Sequence, residues 1–116
     1  MFYYHRYVGN EMKNTFKKDL KMIGSILVET SSYESTSNHF YLVVGLKGKT
    51  TLVLQPIGKE NTEYYGNGIA GEQIPCPDVK YGEIFTARWN GTSANLKNGR
   101  SRCYLWNGKP LYWSAY

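Results

Sequence analysis

The chain has few of the residues from which small proteins build metal centres, disulfide frameworks or acid–base sites. Only two cysteines and two histidines occur in 116 residues. Cys76 and Cys103 are far apart, and neither His5 nor His39 stands beside them. That spacing excludes a zinc site of clustered ligands, so no metal and no cofactor is expected. A chain of this length buries roughly two thirds of its unfolded surface and folds as one domain without a staple. No apolar run approaches the ~20 residues of a membrane-spanning helix, and no signal-peptide core precedes a small-residue cleavage site. The expectation is an intracellular protein with both thiols reduced and no membrane partner. Acidic residues are absent from residues 88–116.

What that acid-free stretch does hold is five Lys/Arg and all three tryptophans. Arg88, Lys97, Arg100, Arg102 and Lys109 are set among Trp89, Tyr104, Trp106, Tyr112, Trp113 and Tyr116. Cations interleaved with flat rings suit phosphates, bases or an anionic protein face. The whole chain carries a formal charge of +5, distributed as a basic start, a mildly acidic middle and this basic end. Such segregation favours an anionic partner. It also serves a structural purpose, because lysines on exposed strands discourage edge-to-edge aggregation.

The abundance of Tyr, 11 in all, favours pleated, half-buried surfaces and hence a mainly β fold. Met12, Phe16, Leu20 and Ile23 recur at steps of four, four and three. They form one stripe of an amphipathic helix beginning near Asn10. Residues 1–23 are therefore expected as a partly helical N-terminal extension to a β domain over 24–116. From Gly24 the period changes. Strands are expected over 25–29, 39–46 and 49–57, the last two joined at Lys47-Gly48. Residues 58–72, with four glycines, read as a long irregular connection, and residues 73–78 as an extended edge around Pro75 and Pro77.

Three Asn-Gly pairs, at 90–91, 98–99 and 107–108, suit type I′ turns and mark off strands near 83–89, 92–97, 100–106 and 109–115. A two-residue loop at Asn107-Gly108 would set Trp106 against Lys109, Tyr104 against Leu111 and Arg102 against Trp113. One face of that hairpin would then show Arg100, Arg102, Tyr104, Lys109 and Trp113. The predicted fold is a small, strongly bent antiparallel sheet or an SH3-like, partly open barrel.

The segment MIGSILVETSSYESTSNHFYLVVGLKGKTTLVLQPI (22–57), GEIFTARW and the ending YLWNGKPLYWSAY resemble a group of small proteins from phages and mobile elements of Gram-positive bacteria. Gly24, Tyr33, Glu34, Thr36, Phe40, Tyr41, Val43, Val44, Gly48, Lys49, Thr50, Leu105, Trp106, Gly108, Lys109 and Pro110 carry the match. Ser31-Ser32 stands where the group has Trp-Gly, Ser35 where it has Gln and Ser37 where it has Asn. The resemblance implies a mobile-element protein working in the cytoplasm of a bacterial host. It implies in turn an inhibitor of host defence, of the anti-CRISPR kind.

Three functions follow as expectations. The first is a non-enzymatic inhibitor that binds a host defence protein or ribonucleoprotein, such as a CRISPR effector, with RNA or DNA as a further partner. The contact residues would be Arg88, Arg100, Arg102, Tyr104, Lys109 and Trp113. The second is a phage nucleic-acid-binding accessory domain. The third is a small hydrolase centred on Glu34 and His39, which lacks a nucleophile–base–orienter set. A polar loop motif, Tyr33, Glu34, Thr36 and Asn38, can pin its own backbone between two strands.

Overall fold

Alternating burial along residues 26–57 puts apolar side chains on both faces of a sheet, which is why that segment folds into three neighbouring strands. The structure is a computed structural model, and it describes residues 22–31, 35–96 and 101–115. The expected helix lies outside the described residues except for its last two, Met22 and Ile23, which belong to a turn closed by Ser25 N–H donating to the Met22 carbonyl. The described residues form eight strands: β1 (Ile26–Ser31), β2 (Ser37–Lys47), β3 (Thr51–Tyr65), β4 (Ala70–Lys80), β5 (Phe85–Arg88), β6 (Ser93–Asn95), β7 (Arg102–Leu105) and β8 (Leu111–Ser114). They form one antiparallel sheet in the order β6-β7-β1-β2-β3-β4-β8, with β5 paired to β3. A single bridge, Trp89 to Ala94, links β5 to β6 and curls the sheet into a partly open barrel. The mainly β, strongly bent fold expected from the sequence is the one found.

Leu27, Val43, Leu52, Leu54, Ala87, Ala94 and Cys103 fill the barrel interior. The opposite face of the same strands holds a second cluster, Val28, Phe40 and Ile57, covered by Trp106 and Leu111 from the C-terminal segment. Trp106 meets Phe40 edge-on, with ring centroids 6.3 Å apart. Burying such side chains on both faces contributes about 1.5–3 kcal/mol each, which is how a thin sheet of this size holds together.

β3 is longer than expected and changes partner midway. Residues 51–54 pair with β5, whereas Ile57 to Tyr65 pair with β4. Pro56 sits at the changeover, where its missing N–H costs no ladder bond, and its carbonyl accepts from the Tyr81 N–H. Residues 58–72, expected as an irregular connection, are instead most of a β3–β4 arm. Its turn is Gly66-Asn67, with φ of 59° and 64°, closed by Gly68 N–H donating to the Tyr65 carbonyl at 3.1 Å. Two consecutive positive φ values define the type I′ turn that joins long hairpin strands. Beyond Gln73, β4 pairs on one side only, so Pro75 and Pro77 occupy an edge as their chemistry requires.

The described Asn-Gly pairs turn differently from expectation. Asn90 and Asn107 keep negative φ, and only Gly91 and Gly108 are left-handed. Their side chains do the work instead. Asn90 Oδ1 accepts from the N–H groups of Thr92 and Ser93, and Asn107 Oδ1 accepts from the Lys109 N–H. Asn98-Gly99 lies outside the described residues. The last two strands do not form a hairpin: β7 pairs with β1 and β6, while β8 crosses to β4. The cause is local. Trp106 donates its indole N–H to the Lys109 carbonyl at 2.7 Å and packs over Phe40, so the chain is led across the second core.

Candidate binding surface

Strand alternation decides which basic residues reach solvent. Ala87, Ala94 and Cys103 point into the barrel, so their neighbours Arg88, Asn95 and Arg102 point outward, and all three are exposed. Asn95 is in register with Arg102, and the Trp89–Ala94 bridge sets β5 beside β6. Arg88, Arg102 and Tyr104 therefore share the outer face of β5–β7, with Tyr104 53% exposed. Among the described residues none of the three has an ion-pair partner.

The other expected contact residues are dispersed. Lys109 is exposed on the connection that wraps the second core. Trp113 sits beside the turn end of the β3–β4 arm, where its indole packs edge-on against Tyr64 at 6.3 Å. It is half-buried, and its Nε1 finds no hydrogen-bond partner. Arg100 lies outside the described residues. Trp89 and Trp106 each pack against a core cluster.

Beside the outer face, β1 and β7 part and leave an open groove of about 340 Å³, lined by Glu29, Thr30, Ser31, Ser101, Arg102 and Tyr104. Two of these, Arg102 and Tyr104, were foreseen from the sequence. Glu29, Thr30, Ser31 and Ser101 were not. The available signal was Glu29, a charged residue at the end of an apolar strand. Tyr41 donates its hydroxyl to Glu29 Oε1 at 3.4 Å. Burial, with Glu29 adding to it, pushes the Tyr41 phenol well above its usual range. Burial first and Glu29 second also push the Cys103 thiol up to about 11. Both groups thus stay neutral beneath the groove.

The polar loop motif divides. Tyr33 and Glu34 lie outside the described residues, so the Glu34–His39 pairing does too. Thr36 and Asn38 tie β2 to distant strands. Thr36 N–H donates to Ser114 Oγ at 3.1 Å, and Ser114 N–H to the Thr36 carbonyl at 2.9 Å. Asn38 is almost fully buried, and its amide donates to Gln73 Oε1 at 3.2 Å and the Tyr112 carbonyl at 2.9 Å. Its Oδ1 accepts from the Thr30 hydroxyl at 2.9 Å, and its main-chain carbonyl accepts from Lys59 Nζ at 2.7 Å. Partial burial pulls the Lys59 amine below its usual range.

Cys76 and Cys103 are free thiols. Among the described residues no group of three or more His, Cys, Asp or Glu side chains could hold a metal ion. No helix among them is long and apolar enough to cross a membrane. No protein-family model, no curated protein and no solved structure matches the chain.

Proposed function

We propose that this is a non-enzymatic inhibitor encoded by a phage or mobile element. It acts by binding a host defence nucleoprotein of the CRISPR-effector type in the bacterial cytoplasm. The contact surface is the outer face of β5–β7, with Arg88, Arg102 and Tyr104 at its centre and Lys109 toward its margin. The observation that carries this reading is the convergence of two exposed arginines and an exposed ring on one face. The formal charge of +5 argues against mimicry of DNA, which calls for an acidic surface, and favours occupation of guide RNA or of an acidic protein face.

The experiment is co-elution of the purified protein with guide-loaded and unloaded effectors, followed by a salt titration of the affinity. Tight, salt-sensitive binding to the loaded effector is expected. Binding to random oligonucleotides alone, with a log–log salt slope steeper than about −3, would instead favour the nucleic-acid-binding accessory domain. What favours that second reading is Tyr104 beside Arg102, since a ring next to a cation is the arrangement that holds single strands.

A further inference from the structure

The parting of β1 and β7 can be followed bond by bond. Trp106 N–H donates to the Ile26 carbonyl, and the register continues through Leu27–Leu105 to Val28–Tyr104. In an antiparallel ladder alternate residues turn their N–H and C=O to the same neighbour. Ile26 and Val28 therefore turn theirs to β7, and the next residue to do so is Thr30, which would meet Arg102. That pairing is absent, although β1 continues against β2 as far as Ser31–Ser37 and β7 continues against β6 as far as Asn95–Arg102. Thr30 and Arg102 thus direct main-chain donors and acceptors into the groove from opposite walls.

Three further groups surround them. The Arg102 side chain supplies a cation, Tyr104 an exposed ring, and Glu29 an acceptor on the barrel side of the groove. Cation, ring and edge-reading polar groups are the three contacts by which proteins hold an unpaired nucleotide. A volume of about 340 Å³ falls at the lower end of small-ligand sites, which suits one nucleoside. An added β-strand fits poorly, because among the described residues only Thr30 and Arg102 turn their main chains to the groove beyond the last β1–β7 pair, a short edge.

We infer that the groove between β1 and β7 is a one-nucleotide site for single-stranded nucleic acid. The base stacks on Tyr104, its edge meets Glu29 and the main chain of Thr30 and Arg102, and the phosphate meets the Arg102 guanidinium. Glu29 accepts from an exocyclic amine, so cytosine is preferred to uracil, whose carbonyl oxygens would face the carboxylate. This inference rests on the outer face being the contact surface, and it names the ligand at one point of that face.

The test is fluorescence anisotropy with labelled eight-nucleotide oligo(C) and oligo(U) RNA at low salt. Oligo(C) should bind more tightly than oligo(U). Tyr104→Ala should weaken oligo(C) binding about fivefold to a hundredfold, and Tyr104→Phe should retain it. Glu29→Gln should abolish the preference for C over U while leaving the thermal midpoint close to wild type. Equal binding of both oligomers, or a preference unchanged in Glu29→Gln, would overturn the site. Oligonucleotide binding lost in Arg88→Glu but indifferent to Tyr104→Ala would overturn it too, while leaving the contact surface standing. Binding to a loaded effector with no affinity for any oligomer would do the same, whereas loss of both would remove surface and site together.

Discussion

The Trp113 indole lies against Gly71, its partner in the β4–β8 register, and there is room for it only because residue 71 has no side chain. A Cβ at this position would come within 2.9 Å of Trp113 Nε1 and would run into the Glu63 carbonyl of β3. The glycine lets one ring span β4 and reach Tyr64, tying the C-terminal strand to the protruding arm. Gly71→Ala should therefore destabilise the fold by at least about 1–3 kcal/mol, because backbone rather than a flexible side chain must yield. Urea unfolding checks this, and a change below about 0.5 kcal/mol would contradict the close approach.

Asn38 joins three strands through its side chain, and each of its bonds has a partner that would be stranded by its loss. Asn38→Leu, similar in branching but bulkier, leaves the Tyr112 carbonyl, the Gln73 amide oxygen and the Thr30 hydroxyl without it. The expected cost is about 2–4 kcal/mol in chemical denaturation. Replacing the nearby exposed His39 by Gln should change stability by less than about 0.5 kcal/mol.

Stability should fall in alkali through the barrel interior. The Cys103 thiol has its pKa raised from 9.0 to about 11 by burial and then by Glu29. A folded-state value above the unfolded one means the neutral thiol is favoured by folding. Its contribution is complete below pH 9 and is lost as pH rises toward 11. Tyr41, raised for the same reasons, extends the loss to higher pH. Unfolding midpoints should thus be flat from pH 6.5 to 8.5 and decline above 9, with a shallower decline in Cys103→Ala. At pH 8 a maleimide should label partly exposed Cys76 well before Cys103, since the latter is fully buried.

The bent β fold was legible because its signals are local. Residues 37–47 and 51–57 carry enough apolar side chains for two faces, and all four C-terminal strands fell near their expected places. The arm was missed because Lys59 to Tyr65 are polar and exposed, so no hydrophobic period marks them. Gly66-Asn67-Gly68 was the readable sign of a hairpin there. The β7–β8 register failed for a different reason. Turn chemistry at Asn107-Gly108 permits a hairpin, but Trp106 packing on Phe40 and β8 pairing with β4 outweigh it, and both are long-range. The same physics explains the partial reading of the site. Arg88, Arg102 and Tyr104 converge through strand alternation, whereas Trp113 is drawn to the arm by Gly71 and Tyr64.

The outer arginines should matter for binding and hardly at all for folding. Arg88 and Arg102 are exposed, so Arg88→Glu and Arg102→Glu should each change stability by less than about 0.5 kcal/mol. Each should lower affinity for an anionic partner and flatten its salt dependence by about one charge in the log–log slope.

The most direct measurement is target cleavage by guide-loaded CRISPR effectors in the presence of the wild-type protein or the Arg88→Glu/Arg102→Glu double variant. The wild type should block cleavage by an effector from its host's range, and the double variant, with an unchanged melting temperature, should not. Equal inhibition by both proteins would show that the partner docks elsewhere, and would contradict the assignment of the β5–β7 face.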